Sequence, residues 1–389
     1  MDKSFTLITV YLIAFAGFTS FSLLFPVVPY YASSLGLSAM DVGFIVSIYS
    51  YVNAVAILPC GMLSDRWGRR TFLITGLVLS TLIPFLYPLA RDMFTLCLVR
   101  ALHGLGSAVF IPTALAVVTD VATPETRGRV LGWYTASAQL GLMAGPAAGG
   151  FLLQQFGFEV AFYGCSLTPL LGLIFISTRI NAIHQKPAAV TGLGEHPWNW
   201  LRQGGAIISL VTLVLVAVGS GAISTFIPLY VREFGVTEAG AGIIITSCYL
   251  SSAALRIPVG NLSDRFGNAP LVMAGLALCA AGLGLIPFMH DLWLFALAAL
   301  FFGTGMGFAM PASLTWLAHL SPVDKRGLSM GMGSAAFQVG LALGATSMGM
   351  VINQYGYTNM YFTAAGIVAA GLIVSLLVTP IKALDKTNA

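Results

Sequence analysis

The stretch GMLSDRWG at residues 61–68 recurs as GNLSDRFG at residues 260–267, so the two copies lie 199 positions apart. The same offset relates further residues, among them Pro29 and Pro228, Gly43 and Gly242, Gly104 and Gly303, Gln139 and Gln338, and Gly157 and Gly356. Chance similarity between apolar segments would not preserve loop aspartates, arginines and prolines together. The chain therefore consists of two tandem copies of one unit, and this repeat constrains the fold before any single motif does.

The composition places most of both copies in lipid. Hydrophobic residues make up 57% of the 389 residues and charged residues only 8%, and the mean hydropathy is +0.89. A membrane-spanning helix needs about 20 predominantly apolar residues. Twelve such runs begin near Phe5, Met40, Thr71, Phe94, Gly128, Phe158, Gly204, Glu238, Pro270, Leu292, Gly327 and Tyr357.

We therefore predict an all-α membrane protein in which twelve transmembrane helices form two six-helix bundles. Two copies with the same orientation imply a pseudo-two-fold axis along the membrane normal and a binding site between the halves. The predicted domains are an N-terminal six-helix bundle at residues 1–180, a cytoplasmic linker at residues 181–202, and a C-terminal six-helix bundle at residues 203–389.

Lysine and arginine residues predict the orientation, because positively charged loops stay on the cytoplasmic side of a membrane. If the N-terminus is cytoplasmic, most of these residues lie on that side, and the opposite side receives Arg91 and Arg232. This asymmetry predicts a multi-pass protein of the inner (plasma) membrane with both termini cytoplasmic. It also accounts for the formal charge of +4, so we infer no nucleic-acid partner.

The sequence shows no arrangement that is typical of an enzyme or of a metal site. Five cysteines lie within or at the edge of apolar runs, and none forms a metal-like pair. The connections between runs are mostly under about ten residues long, which leaves no room for an extramembrane catalytic domain. We expect a monomer without enzymatic activity, metal or cofactor that acts on a small-molecule substrate inside the lipid bilayer.

The loop at residues 61–70 carries the most specific motif. Gly61 and Gly68 allow tight turns, and Asp65 can accept charge-assisted hydrogen bonds near a helix end. With this loop and the repeat, the chain resembles the major facilitator superfamily over essentially its whole length. The resemblance implies that a cluster latches the outward-facing state, and its members are Asp65, Arg66, Arg70 and Asp120. The alternative is a basic loop that only determines topology.

Arg100 and His103 lie inside the fourth predicted helix. A buried arginine in a bilayer is costly unless it is paired or hydrated, so an intramembrane charge is a functional candidate by default. Arg100, followed by a glycine-rich stretch, is similar to the superfamily's helix 4 signature, which implies a part in proton transfer. The candidates for proton coupling are Arg100, His103 and Asp120. The coupling ion would be the proton, and its gradient would drive transport. The alternatives are an arginine that bonds neighbouring carbonyls and an ordinary core histidine.

The fifth predicted helix contains Gly141, Gly145, Pro146, Gly149 and Gly150. Small residues four apart let helix backbones approach closely, and the proline removes one backbone hydrogen bond and bends the helix. We predict a kinked, close-packed hinge against a helix of the other half. The Gly-Pro-x-x-Gly-Gly arrangement resembles the antiporter signature of drug and proton exchangers, whereas the spaced small residues alone would indicate packing only.

The resemblance also implies that helices 1, 4, 7 and 10 face a central cavity, with contributions from helices 5 and 11. The candidate cavity residues are Phe21, Phe25, Ser107, Phe110, Gln139, Ser224, Phe226, Met306, Trp316 and Gln338. Such an aromatic wall suits lipophilic compounds, whereas sugar or carboxylate sites need several hydrogen-bond donors or fixed charges. The alternative for each aromatic side chain is packing between helices.

These features favour proton-coupled efflux of hydrophobic compounds, cationic ones among them, by alternating access. Helix 1 contains no acid, so the sequence leaves the proton carrier open. One alternative is export of a metabolite such as a sugar or amino acid, with Arg100, Gln139 and Gln338 as polar contacts. Another is a non-transporting sensor or lipid-handling scaffold on the same fold.

Overall fold

Residues 3–123, 126–177, 199–322 and 326–378 are described in the computed structural model, and this part of the chain is helical almost throughout, without a strand. The helices are α1 (Lys3–Ser34), α2 (Ala39–Trp67), α3 (Arg69–Leu82), α4 (Met93–Val121), α5 and α6 (together Arg127–Ser177), α7 (Gly204–Val231), α8 (Glu238–Phe266), α9 (Asn268–Leu285), α10 (Leu292–Leu320), and α11 and α12 (together Arg326–Val378).

Single glycines separate the last two helices of each half. Gly157 and Gly356 have φ angles of 81° and 80° inside otherwise continuous helical stretches, a conformation that favours glycine. These two stretches include apolar segments of 48 and 52 residues. Counted with the 3-10 turns that follow α3 (Ile83–Leu89), α7 (Arg232–Phe234) and α9 (Ile286–Phe288), all ten helical stretches are long and apolar enough to cross a membrane. Dividing the two longest at their glycines gives α5 (127–156), α6 (158–177), α11 (326–355) and α12 (357–378), which confirms the twelve predicted helices.

Most of the predicted linker, residues 181–202, lies outside the described residues. Its last part forms a short 3-10 helix, Asn199–Arg202, directly before α7.

Several helices begin with acidic caps at one end of the bundle, which we call the Asp41 end. The opposite end is the Asp65 end, and it contains the loop at residues 61–70, which we call the signature loop, and its copy at residues 260–267. Ser38 and Asp41 form a capping box at the start of α2, and Asp92 and Asp291 cap α4 and α10. The backbone N–H of Thr95 donates to Asp92 and holds the pKa of that carboxyl below its usual value. The caps satisfy N–H groups that the first helical turn leaves free.

Both copies of the signature loop lie at the Asp65 end. α2 begins beside Gly349 of α11, and α8 begins beside Gly150 of α5. Each of these glycines precedes the break at Gly157 or Gly356 by about two helical turns, so all these helix ends meet at the Asp41 end. α2 and α8 therefore run in the same direction, as two like-oriented copies require.

Glycines spaced four apart on α5 form the surface on which α1 packs. A Cβ atom on Gly141, Gly145 or Gly149 would collide with atoms of α1, most of them backbone. In the second half, Gly340 and Gly344 of α11 face α7 in the same way. Because hydrogen is the only substituent that fits, the backbones approach closely and gain the van der Waals contact that drives helix association in lipid.

The two halves meet at the Asp41 end through two equivalent helix crossings, α2 with α11 and α5 with α8. The contacts are Gly43 with Ala345 and Gly349 with Ala39 in the first crossing, and Gly242 with Pro146 and Gly150 with Glu238 in the second. Each residue of one crossing corresponds to a residue of the other through the offset of 199 positions. The pseudo-two-fold relation predicted from the repeat is therefore present in the packing itself.

The hinge predicted for α5 differs from the structure in one respect. We expected its glycines to face the other half, but Gly141, Gly145 and Gly149 face α1 of the same half. Gly150 and the carbonyl of Pro146 are the groups of this motif that contact α8. The physical reason is helical periodicity: residues four apart share one face, whereas Gly150 is turned by about 100° from Gly149.

The packing of α1 on the glycines of α5 can be tested with Gly145→Val. The added side chain has no space beside α1, so we expect the free energy of unfolding in sodium dodecyl sulfate to fall by about 1–3 kcal/mol, the usual cost of overpacking. Gly132→Val on the same helix is the matched control, because a Cβ atom there meets nothing within 4 Å. Equal losses in both variants would contradict this packing.

Candidate functional site

Arg100 lies two turns inside α4, and 6% of its surface is exposed. Its Nη2 donates to the carbonyl oxygen of Val46 at 3.0 Å, and its Cζ lies 4.9 Å from the centre of the Tyr49 ring. Its Nε has no hydrogen-bond partner, and the described ion pairs do not include it. Arg100 is thus held by a carbonyl and a ring face, and no acidic residue of the described ranges compensates its charge.

Two tyrosines connect Arg100 to the other polar groups of the first half. The hydroxyl of Tyr49 donates to Ser107 Oγ at 2.6 Å. The hydroxyl of Tyr87 lies 3.5 Å from Arg100 Nη1 and 3.2 Å from His103 Nδ1. If Tyr87 accepts from the arginine, its own proton points to His103, and Nδ1 of that histidine is then an acceptor. The arrangement fits a neutral His103 beside a charged Arg100.

Four aromatic rings form a row that crosses from the second half to the first. Tyr249 of α8, Phe25 and Phe21 of α1, and Tyr49 of α2 follow one another with centroid separations of 5.9, 4.9 and 5.0 Å. These distances lie in the range of favourable ring pairs. We call these four residues the aromatic row, and it places two predicted cavity residues, Phe21 and Phe25, beside Arg100.

Two small cavities adjoin the aromatic row. The larger has a volume of ≈ 20 Å³, which holds about one or two water-sized groups. Its lining includes Phe21, Phe25, Tyr49, Ser50, Arg100 and Ser224, and that of the other includes Phe21, Tyr49, His103, Ser107 and Phe110. Five of the ten predicted cavity residues therefore line these spaces: Phe21, Phe25, Ser107, Phe110 and Ser224. Both halves contribute to the larger cavity, because Ser224 belongs to α7 of the second half.

Three other predicted cavity residues pack elsewhere in the second half. Phe226 lies against the interface glycines Gly43 and Gly349, and Trp316 lies against Gly205 at the start of α7. Met306 accepts a weak hydrogen bond from a serine of α7 at 3.5 Å. These contacts show helix-to-helix packing, the alternative that the sequence left open for aromatic side chains.

The two predicted glutamines are also engaged or buried. Gln338 of α11 donates to Asn53 Oδ1 at 2.7 Å, and Asn53 Nδ2 donates to the carbonyl of Gly104 at 3.3 Å. These bonds connect α11 of the second half to α2 and α4 of the first. Gln139 is buried in α5, with 5% of its surface exposed.

At the Asp65 end, Arg69 makes the ion pairs of the described residues. It contacts Asp65 at 3.0 Å, pairs closely with Asp120 of α4, and donates to a carbonyl of α4 at 2.7 Å. In the structure Arg69 joins Asp65 to Asp120, whereas the described ion pairs do not include Arg66 or Arg70. The cluster ties α2, α3 and α4 of the first half together.

The backbone favours glycine at one of the two glycine positions of the signature loop, Gly68, and not at the other, Gly61. Gly68 connects α2 to α3 with a φ angle of 103°, a region that favours glycine. A Cβ atom on Gly61 would approach Pro112 to 3.8 Å, an ordinary contact. Close packing in this conformation therefore does not require glycine at position 61.

The second half repeats neither the Arg69–Asp120 pair nor Arg100. The offset of 199 positions replaces Arg69 by Asn268 and Asp120 by His319, and Ser263 donates to Asn268 Oδ1 at 2.5 Å. At the position of Arg100 the second half has Ala299. The charged residues of the Arg69 cluster and of the Arg100 site thus belong to the first half, although the helices that carry them are repeated in the second half.

Thr246 of α8 reaches into the backbone of α5 beside Pro146. Its hydroxyl donates to the carbonyl oxygen of Met143 at 2.9 Å and accepts from the N–H of Ala147 at 3.2 Å. These two backbone groups are four residues apart, and the neighbouring Pro146 has no N–H to bond the carbonyl of Leu142, so the side chain bonds the helix backbone beside the bond that the proline removes. The counterpart Ser47 bonds within its own helix. Thr246 therefore makes a polar contact between the halves that its counterpart in the first half does not make.

Sequence reasoning missed Tyr49, Tyr87, Arg69 and Thr246. Arg69 had a usable signal, because it follows Asp65 by four residues in a basic loop, the spacing of an ion pair along a helix. The tyrosines and the threonine had none, since polar hydroxyls inside apolar runs occur at many positions of this chain.

Comparisons with known proteins agree with this architecture. The family model described as Major Facilitator Superfamily matches residues 10–207 and again 208–389. Multidrug resistance protein 1 of Bacillus subtilis is 24% identical over 379 residues, covering 96% of each chain. Multidrug resistance protein MdtG of Citrobacter koseri is 27% identical over 374 residues, covering 92% of this chain and 90% of its own.

Two further comparisons extend this similarity. An uncharacterised MFS-type transporter of Methanocaldococcus jannaschii is 25% identical over 356 residues, covering 90% of this chain and 92% of its own. The crystal structure of the nucleoside transporter NupG superposes with a TM-score of 0.79 at 12% identity, covering 97% of this chain and 99% of that one. At that identity the superposition shows a common fold.

The contact made by Thr246 can be tested with Thr246→Val, which keeps the shape and removes both hydrogen bonds. We expect a loss of about 1–2 kcal/mol for the closed Asp41 end, because each intramolecular hydrogen bond contributes about 1 kcal/mol. Spin labels on exposed positions of the two halves, Gln155→Cys and Gln354→Cys in a background without native cysteines, would then show a larger share of long distances.

Two variants serve as controls for that measurement. Thr246→Ser keeps the hydroxyl and should restore the original distances, while Ser247→Ala removes a hydroxyl that bonds only within α8. An unchanged distance distribution in Thr246→Val, or an equal shift in Ser247→Ala, would show that the inserted hydroxyl does not hold the halves together.

Proposed function

Because the chain belongs to the Major Facilitator Superfamily, a family of membrane transporters, we propose that it exports hydrophobic small molecules by alternating access, driven by a proton gradient. A transporter and not an enzyme, it is a multi-pass protein of the cell membrane that acts on small molecules within the lipid bilayer. Its similarity to two proteins named for multidrug resistance supports drug efflux as the direction and class of transport.

The aromatic row is the observation that carries the proposal for the substrate. It lies between the halves, contains rings from α1, α2 and α8, and borders cavities to which the halves contribute a few hydroxyls. Stacked and edge-on rings hold apolar bodies without demanding a fixed hydrogen-bond pattern. A site of this kind supports loose recognition of hydrophobic compounds better than recognition of a sugar, which needs several polar partners.

The glycine crossings support alternating access. They close the Asp41 end in this conformation, and with the predicted cytoplasmic termini that end faces outward. Opening requires both crossings to separate, which a rocking motion of one half against the other accomplishes. We propose that the signature loop, including Gly61, Gly68, Arg66 and Arg70, acts in the reverse closure at the Asp65 end.

Proton coupling needs a group that changes charge during this cycle, and Arg100, His103 and Asp120 remain the candidates. Asp120 is the most accessible of them, because 53% of its side chain is exposed. A proton on Asp120 would remove its charge and weaken its bond to Arg69, which loosens the cluster at the Asp65 end. His103 is linked to Arg100 through Tyr87 and responds to any change of charge there.

The proposal is tested with the purified protein in liposomes and a panel of fluorescent hydrophobic compounds. We expect compound movement that depends on an imposed pH gradient, together with a change in luminal pH reported by a proton-sensitive dye, and no such movement in protein-free liposomes. The absence of transport for every compound, with or without the gradient, would contradict the proposed function.

A second test addresses the aromatic row. Phe21→Ala and Phe25→Ala each remove a ring that contacts the neighbouring ring, so we expect a several-fold lower transport rate, in line with about 0.5–1.5 kcal/mol per ring pair. Phe44→Ala is the control, since this phenylalanine of α2 is 38% exposed and belongs to no ring pair of the row. An equal loss in Phe44→Ala would assign the effect to general damage.

A further inference from the structure

Arg100 carries a positive charge for which the described part of the chain supplies no counter-ion. The acidic residues in that part all lie at helix ends or in loops: Asp41, Asp65, Asp92, Asp120, Glu159, Glu233, Glu238, Asp264 and Asp291. Several of them cap helices, and two are engaged by Arg69. A buried cation without a partner costs several kcal/mol, so this site favours a negative charge that the described residues do not supply.

The geometry of Arg100 leaves a donor for such a charge. A guanidinium has five N–H donors, and the described bonds of Arg100 are those to Val46 and Tyr87, while Nε has none. Arg100 also lines the cavity of ≈ 20 Å³ that borders the aromatic row, together with the hydroxyls of Ser50 and Ser224. A carboxylate headgroup has about the size of that space and could take bonds from the guanidinium and a hydroxyl at once.

A second cation with a buried nitrogen lies in the second half, outside the lining of the cavity beside Arg100. Arg256 of α8 has a buried Nε without a hydrogen-bond partner, and it too is absent from the described ion pairs. A cationic compound next to Arg100 would meet like charge at short range in a medium of low dielectric constant, which is strongly unfavourable. The charge of Arg100 thus opposes the cationic substrates that the sequence had suggested.

We propose that the central site recognises lipophilic organic anions, with Arg100 pairing with a carboxylate or sulfonate and the aromatic row holding the apolar body. This inference rests on the proposed function and narrows its substrate class. It also assigns Arg100 a place in substrate binding, whereas the sequence had suggested a part in proton transfer. An anion that neutralises Arg100 removes the cost of the uncompensated charge, so binding and charge compensation are the same event.

The test uses three pyrene compounds that differ in headgroup charge: pyrenebutyrate, its methyl ester, and pyrenebutyltrimethylammonium. Binding to the protein in phosphatidylcholine nanodiscs is measured by energy transfer from tryptophan to pyrene, with empty nanodiscs subtracted. We expect wild-type protein to bind the acid about tenfold or more tightly than the ester, as for a hydrogen bond to a charged group, and the ammonium compound most weakly. Equal binding of acid and ester, or no saturable binding of the acid, overturns the proposal.

Variants locate the preference on Arg100. Arg100→Gln should bring the affinity for the acid down to that for the ester, and Arg100→Lys should keep part of the difference because it keeps the charge. Arg91→Gln, which removes an exposed cation outside the helices, should leave the difference unchanged. A preference for the acid that persists in Arg100→Gln overturns the assignment, and the wild-type comparison stands even if that variant does not fold.

A transport measurement separates cargo from a bound lipid-like anion and from the proposed function itself. Pyrenebutyrate should move across proteoliposome membranes carrying wild-type protein and not across those carrying Arg100→Gln. Binding of the acid without movement overturns its assignment as substrate. Movement of the ester or the ammonium compound without the acid also overturns the inference, while it leaves export of hydrophobic compounds intact.

Discussion

Close backbone contact at glycine positions holds the two halves of this protein together. In lipid, apolar side chains gain little by leaving their surroundings, so association depends on van der Waals contact and on a few polar bonds between helices. At the Asp41 end, Gly43 and Gly242 each face a carbonyl of the opposite half, and Gly349 and Gly150 do the same one step further along. The two crossings are equivalent under the offset of 199 positions, and both have to separate before this end can open.

This symmetric scaffold carries an asymmetric set of polar groups. Arg100, the ion pairs of Arg69 and the inserted hydroxyl of Thr246 have no equivalents at the corresponding positions. The first half therefore holds Arg100 and the described ion pairs, and the second half supplies a ring and hydroxyls to the same site. Such a division fits a transporter in which one half responds to charge and the other moves against it, and it explains why the repeat predicts the path of the helices but not the site.

The predictability of each feature follows from how local its cause is. The twelve helices depend on lengths of apolar sequence and the like orientation depends on a repeat, and both were correctly predicted. The direction in which the α5 glycines pack depends on the rotation of a helix about its axis, which neighbouring helices determine; Gly141, Gly145 and Gly149 accordingly face α1 and not the other half. Arg69, Tyr49 and Thr246 act through partners far away in the sequence, so their roles required the tertiary structure.

The breaks at Gly157 and Gly356 affect how the bundle is made as well as how it moves. One residue reverses the chain between two spans, so α5 and α6, like α11 and α12, are joined without a loop that could absorb relative displacement. Each pair enters the bilayer as a helical hairpin with almost no polar connection to translocate. Because no loop separates the two helices of a hairpin, a tilt of α5 or α11 also tilts α6 or α12. A motion at the interface between the halves therefore reaches the lipid around the bundle.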